Sequence, residues 1–178
     1  CGINLIKSVE AVSKMKPSLG RMNLLEGINS SLIFDDSYNS SPLAAEAAIE
    51  VLSEYPAKRR IAVLGDMKEL GEFSRSEHER IGETLRAKNV WFLFTVGQEA
   101  KFIAEGARRS GFDDFKIFEF SDAVEAGEAV KNIIQEGDLI LVKGSQSARM
   151  EKAVEKIMAH PENKETLLVR QEAEWKNR

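Results

Sequence analysis

Residues 35–42 read Asp-Asp-Ser-Tyr-Asn-Ser-Ser-Pro and follow the apolar run Ser31-Leu32-Ile33-Phe34. Two adjacent carboxylates, a phenol and an amide thus sit where a buried strand should emerge. The pattern recurs. Gly65-Asp66 follows Arg60-Ile61-Ala62-Val63-Leu64, Thr95 and Gly97 close another apolar run, and Lys143-Gly144-Ser145 follows Leu139-Ile140-Leu141-Val142. In an open α/β sheet, ligands bind beyond the carboxyl ends of the strands, so these groups belong on one polar rim. Lys143-Gly144-Ser145-Gln146-Ser147 also precedes a helix start. Free N–H groups, glycine and a lysine there suit an anion. Each Asp or Ser taken alone could simply close a turn.

Other chemistries are not supported. The chain contains neither G-x-x-x-x-G-K-[ST] nor G-x-G-x-x-G, so a phosphate loop and a dinucleotide fingerprint are absent from it. His78 falls one turn into a helix and reads as a solvated helix residue, with a place beside Asp66 and Glu69 as its alternative. No second histidine or cysteine has ligand spacing, so no metal site is expected, and no Ser-His-Asp set can be assembled.

The elements that must hold this rim alternate. Ile3, Leu5, Ile6, Val9, Val12 and Met15 follow a helical period until Pro17 and Gly20 break it. Met22–Glu26 reads as a short edge strand and Leu32–Asp35 as a strand. Ser41 caps a helix with Pro42 at its first position, its apolar stripe being Ala44, Ala47, Ala48, Val51, Leu52 and Tyr55. After strand Arg60–Leu64, Ser74-Arg75-Ser76-Glu77 is a capping box opening a helix to about Lys88. Val90–Val96, Phe115–Phe120 and Leu139–Val142 are strands; Gln98–Ser110, Asp122–Gln135 and Ala148–Met158 are helices, the last with Met150, Val154, Ile157 and Met158 on one side. Thr166–Arg170 is a possible last, antiparallel strand, in a charged tail from Pro161 that is expected to be partly loose. The expectation is an α/β fold: a mostly parallel, Rossmann-like sheet of about six strands with helices on both faces.

The chain has 178 residues, a net charge of −4 and one cysteine. That is enough for one sizeable core. The acidic balance excludes a general nucleic-acid grip, which needs clustered positive surface. No apolar run approaches the ~18 residues of a membrane span. A single cysteine allows no internal disulfide and fits a reducing, cytoplasmic setting. Cys1-Gly2-Ile3 is not a natural start, so the chain reads as a piece of something longer.

Taken together, GRM (20–22), DDSYNSSP (35–42), AVLGDMKELGEFS (62–74), His78 with Ile81-Gly82, GDLILVKGSQS (137–147) and RMEKAVE (149–155) resemble the C-terminal domain of the Mur ligases. The likeness is to the type that adds D-alanyl-D-alanine to UDP-N-acetylmuramoyl-tripeptide. It divides the chain into 1–19, the tail of a preceding central ATPase domain with a linker; 20–160, the C-terminal domain; and 161–178, a tail. The resemblance implies an ATP-dependent ligase of peptidoglycan precursor synthesis. ATP phosphorylates the substrate carboxylate, the amine of the dipeptide attacks the acyl phosphate, and an amide forms. The expected partners are ATP, UDP-N-acetylmuramoyl-tripeptide, D-alanyl-D-alanine and the preceding domains of the same chain, in a monomer. ATP and magnesium would be bound mainly by the central domain.

By the same resemblance, Arg21 reaches the nucleotide phosphates, Asp36 accepts from the ribose, Asp35 shares that role, and Tyr38 and Asn39 lie against the adenine. Lys143, Gly144, Ser145 and Ser147 help hold the dipeptide or the phosphoryl group, and Asp66 and Glu69 match the family motif on the substrate side. No catalytic residue and no metal ligand is assigned in this chain. Gln146 stands where family members often have arginine, which removes a charge from the anion contact. Asn39-Ser40-Ser41-Pro42 replaces the common Asn-Ala-Asn-Pro and keeps a helix cap.

Other classes fit less well. A receiver-like phosphoacceptor domain would also gather Asp35, Asp36, Asp66, Thr95 and Lys143 at strand ends. There the order fails, because an extra helix and strand separate Thr95 from Lys143. A plain nucleotide-binding module, another Mur-type ligase and a folylpolyglutamate-type ligase are the remaining alternatives.

Overall fold

The computed structural model describes residues 4–13 and 18–176. Six strands form one sheet in the order β1-β2-β6-β3-β4-β5. They are β1 (Asn23–Gly27), β2 (Ser31–Asp36), β3 (Arg59–Gly65), β4 (Phe92–Val96), β5 (Ile117–Phe120) and β6 (Asp138–Lys143). Only β1 runs antiparallel, against β2; β2, β6, β3, β4 and β5 are parallel throughout. The expected α/β sheet is therefore present.

Helices cover both faces, and strand alternation divides the core between them. Phe34, Ala62, Leu64, Leu93, Leu139 and Leu141 face α2 (Pro42–Glu54), α3 (Ser74–Leu85) and α4 (Lys101–Arg109). Ile33, Ile61, Val63, Phe94, Ile140 and Val142 face α5 (Ala123–Lys131) and α6 (Glu151–Ile157). The helices after β2 and β6 thus lie on opposite faces of neighbouring strands. Such a switch point opens a crevice at the strands' carboxyl ends.

Several local expectations are corrected. The buried side of α2 is Ala45, Ala48, Ile49 and Leu52, one residue out of phase with the expected stripe, and Ala44, Ala47 and Val51 face solvent. The alanine-rich sequence carries apolar residues on two adjacent stripes, and docking on β3 and β6 chooses between them. Ser74 does not cap α3; it lies inside the helix, and its hydroxyl donates to Glu99 on the neighbouring loop at 2.6 Å. Residues 166–170 form no strand. A single helical turn, α7 (Lys164–Leu167), precedes the buried Leu168, Val169 and Arg170, so this part of the tail is packed rather than loose. A last short helix, α8, spans Ala173–Lys176.

The N-terminal helix α1 covers Leu5–Ser13, and Leu5, Ile6 and Val9 are exposed on it; Ile3, Met15 and Pro17 lie outside the described residues. Other expectations hold. The Ser41 hydroxyl accepts from the Ala44 N–H, with Pro42 opening α2, Asp122 caps α5, and Met150, Val154, Ile157 and Met158 are all buried.

Candidate functional site

The adjacent carboxylates at the end of β2 point to opposite faces of the sheet and differ chemically. Asp36 lies in register with Lys143 on β6. The Lys143 ammonium donates to Asp36 Oδ2 at 2.6 Å and to the Asn39 carbonyl at 3.0 Å. The Met22 N–H donates to Asp36 Oδ1 at 3.1 Å. Lys143 is only 2 % exposed, so its charge serves the 36–39 loop and does not reach into open solvent.

Asp35 faces the α6 side, and among the described residues no cation pairs with it. It accepts the Ser37 N–H at Oδ1, while its Oδ2 and the Ser37 hydroxyl are buried without a hydrogen-bond partner. Burial pushes its carboxyl up to about 6; the Ser37 donors oppose the rise, and the charges of Asp36 and Glu151 add to it.

Beyond these pairs lies a cleft of about 820 Å³, lined among others by Tyr38, Asn39, Glu69, Ser145 and Ser147. Five of the residues singled out in the sequence therefore share one concavity, although they come from three separate βα connections. Arg21 stands beside them, its guanidinium 4.3 Å from the centre of the Tyr38 ring. Gly144 lies behind the lining; a β-carbon there would sit 2.6 Å from Met150 Cγ and 3.1 Å from the Gly65 Cα, so the β6–α6 turn packs directly on the end of β3.

Asp66 is placed differently. Its Oδ1 accepts the N–H groups of Glu99 and Ala100 at 2.9 and 2.8 Å, just before α4, and its Oδ2 meets Lys68 at 3.0 Å. It ties β3 to the start of α4 and borders a second, smaller depression with Gly97, Asp122 and Lys152. Thr95 is buried within β4 and does not reach the rim.

His78 overturns its solvated reading, being fully buried. Its Nε2 accepts the Met67 N–H at 2.9 Å and its Nδ1 stands 2.7 Å from the Ser74 carbonyl. A backbone N–H can only donate and a carbonyl only accept, so the proton is on Nδ1. The ring pins the loop carrying Lys68 and Glu69 to α3, which makes it a support of the cleft from behind. Among the described residues no group of three or more His, Cys, Asp or Glu side chains could hold a metal ion.

The cleft's far wall was not anticipated. Lys68, Arg149 and Trp175 also line it. Arg149 has a left-handed backbone, φ 52°, directly after a short 3-10 turn, and no period marks it. Trp175 had one signal, a lone indole in a charged segment.

The family model for the "Mur ligase, glutamate ligase domain" matches residues 20–146. The chain belongs to the Mur ligase family. Curated relatives of this Mur ligase domain include the UDP-N-acetylmuramoyl-tripeptide–D-alanyl-D-alanine ligases of Bacillus subtilis, 30 % identical over 90 % of this chain and 35 % of that protein, and of Escherichia coli, 34 % identical over 80 % and 30 %. The crystal structure of MurF ligase from Thermotoga maritima in complex with ADP superposes with a TM-score of 0.69 at 32 % identity, covering 83 % of this chain and 32 % of that one. A MurF structure from Acinetobacter baumannii gives 0.73 at 30 % identity, covering 86 % and 33 %. The Mur ligase domain thus spans about a third of the length of these relatives. No helix among its described residues is long and apolar enough to cross a membrane.

Proposed function

We propose that this Mur ligase domain is the closing half of an ATP-dependent ligase that joins D-alanyl-D-alanine to UDP-N-acetylmuramoyl-tripeptide in the cytoplasm. The observation that carries the reading is the convergence of Tyr38, Asn39, Ser145 and Ser147 in one open cleft, behind which Asp36 and Lys143 are locked together. The Bacillus subtilis and Escherichia coli ligases named for these substrates are 30 % and 34 % identical to it over the matched residues.

In this reading the chain contributes position and charge, which is how phosphoryl transfer is usually assisted. Asp36 accepts a ribose hydroxyl with the lone pairs that Met22 and Lys143 leave free. Tyr38 and Asn39 border the base, and Arg21 lies beside them toward the phosphates. Ser145 and Ser147, whose hydroxyls are 3.2 Å apart, offer donors to the dipeptide or the phosphoryl group, while Gly144 keeps their turn tight against β3. Glu69 supplies a carboxylate at the cleft edge for the incoming ammonium. Lys143 and Asp66 act from behind, holding loops. ATP and magnesium are held chiefly by preceding domains of the same chain, in a monomer.

The test is a chimera in which residues 20–178 replace the corresponding part of the Bacillus subtilis ligase. Phosphate release that depends on D-alanyl-D-alanine and on the UDP-linked tripeptide is expected. A folded chimera that instead uses a single amino acid would overturn the assignment in favour of another Mur-type ligase.

A further inference from the structure

A ladder of guanidinium groups and aromatic rings borders the cleft, with Tyr38, Arg149 and Trp175 in its lining and Arg21 and Arg170 outside it. Arg21 stands 4.3 Å from the Tyr38 ring centre, Arg170 stands 5.8 Å from both the Tyr38 and the Trp175 ring centres, and Arg149 stands 5.3 Å from that of Trp175. The ladder is built from three distant parts of the sequence. Its middle rung is anchored. Arg170 is buried, takes a left-handed backbone (φ 60°), and donates to the carbonyls of Ser37 and Tyr38. It also pairs with the buried Glu151 at 3.0 Å, and Glu151 receives Arg149 at 2.6 Å. Arg149 in turn donates to the Trp175 carbonyl at 3.1 Å.

Ordering a chain segment costs conformational entropy. Here Leu168, Val169 and the Arg170–Glu151 pair offset it, and the outcome is to bring a large flat side chain to the lining of the cleft. Packing alone explains Leu168 and Val169. Beyond Arg170 the segment sets an indole in the lining of the same cleft as Tyr38, itself 45 % exposed, with the Arg170 guanidinium 5.8 Å from both rings. Aromatic rings next to polar donors and cationic side chains are how flat bases carrying phosphates are held.

We propose that Trp175 is a ligand-contacting residue of this cleft, its indole and the Tyr38 ring together forming the surface on which the base of the nucleotide stacks, with Arg170 as the positioning residue that sets both rings. This rests on the nucleotide reading of the cleft and extends it to the C-terminal segment.

The experiment uses the full 178-residue chain with Trp91→Phe, which leaves Trp175 as the single indole. Its emission is followed, with excitation outside the adenine band, against ATP and against tripolyphosphate in the millimolar range. ATP should quench Trp175 and tripolyphosphate should not. In parallel, line broadening of the adenine protons reports binding independently of tryptophan. Trp175→Leu should weaken ATP binding about tenfold, Trp175→Tyr should restore most of it, and melting of both variants should match the parent. If ATP binds by line broadening while Trp175 emission responds no differently to ATP and tripolyphosphate, this inference falls and the nucleotide reading stands. If neither readout shows binding, this inference falls, and the nucleotide reading is decided by the chimera described above. The emission measurement needs no Trp175 variant, so misfolding of Trp175→Leu leaves the decision intact.

Discussion

Lys143 and Asp36 are Cα partners on adjacent parallel strands, and their side chains meet at 2.6 Å with both residues buried. The strand that brings the lysine is β6, which the chain inserts between β2 and β3 after the five other strands have been laid down. The contact between the two charges therefore requires the completed topology, and through the Asn39 carbonyl it fixes the loop that lines the cleft.

Breaking this pair from one side should be severe. Lys143→Met leaves the Asp36 carboxylate buried without its cation, which costs about 3–5 kcal/mol, whereas replacing both partners is far milder. Urea unfolding of Lys143→Met should show a loss of that size, and Asp36→Asn/Lys143→Met should recover at least half of it. A single mutant as stable as the parent would mean that Lys143 is free to serve a ligand.

Much of this site was legible in the sequence because strand-end residues are dictated by apolar runs. Asp36, Lys143 and Ser145 follow such runs, and a parallel sheet must align their ends. What was not legible depended on contacts between elements. His78 looks like any polar residue on a charged helix until the Met67 N–H and Ser74 carbonyl close around it. The phase of α2 could not be read because alanines occur on both candidate stripes. Arg170 and Glu151, which bind the tail to the rest, are charged residues whose burial has no periodic signature.

Asp35 should give stability a pH dependence of unusual sign. Its carboxyl is raised from 3.8 to about 6 by burial, so between those values the folded state holds more protons than the unfolded state. Stability from this group is full below pH about 4 and is lost as pH rises through about 6, an effect on the order of 3 kcal/mol. Denaturation of the parent and of Asp35→Asn should therefore diverge with pH, the parent losing stability relative to the variant from pH 4 to 7. Parallel curves would show that Asp35 titrates as an ordinary exposed carboxyl.

Gly82 on α3 and Gly106 on α4 let the two helices touch backbone to backbone. A β-carbon on Gly82 would collide with the Ile103 carbonyl, and one on Gly106 with that of Glu79. Gly→Ala in a helix normally gains about 1 kcal/mol, but overpacking against a rigid backbone costs about 1–3 kcal/mol or more. Gly82→Ala should lower stability by about 2 kcal/mol in thermal unfolding. A variant more stable than the parent would show that α3 and α4 separate without cost.

Asp66 should matter for stability before it matters for substrate. Losing its two backbone bonds before α4 in Asp66→Ala should cost about 1–2 kcal/mol, and Asp66→Asn, which keeps an acceptor, much less. The partly exposed pair with Lys68 adds little. In an assembled ligase carrying this domain, Asp66→Asn should leave the KM for D-alanyl-D-alanine unchanged. A rise in that KM in the stable Asn variant would put Asp66 in direct contact with the dipeptide.

Asp36 is where the ribose reading meets kinetics. The isolated chain, which lacks a phosphate loop, should show no ligase turnover, so the measurement belongs in the assembled enzyme. Asp36→Ala would strand the Lys143 ammonium and confuse folding with binding. Asp36→Asn keeps one of the two acceptor oxygens used by Met22 and Lys143 and leaves the Lys143 ammonium without its anion, so it is read beside Asp36→Asn/Lys143→Met, which removes both charges; in either variant the charge that strengthens a hydrogen bond to a ribose hydroxyl is gone. Hydrogen bonds to charged groups are worth about 1.5–3 kcal/mol, so the KM for ATP should rise at least about tenfold. Because the ribose is remote from the reacting phosphoryl group and is bound equally before and during transfer, kcat should stay within about twofold. An unchanged KM for ATP in the folded variant would remove Asp36 from the nucleotide site and leave it the single task of holding Lys143.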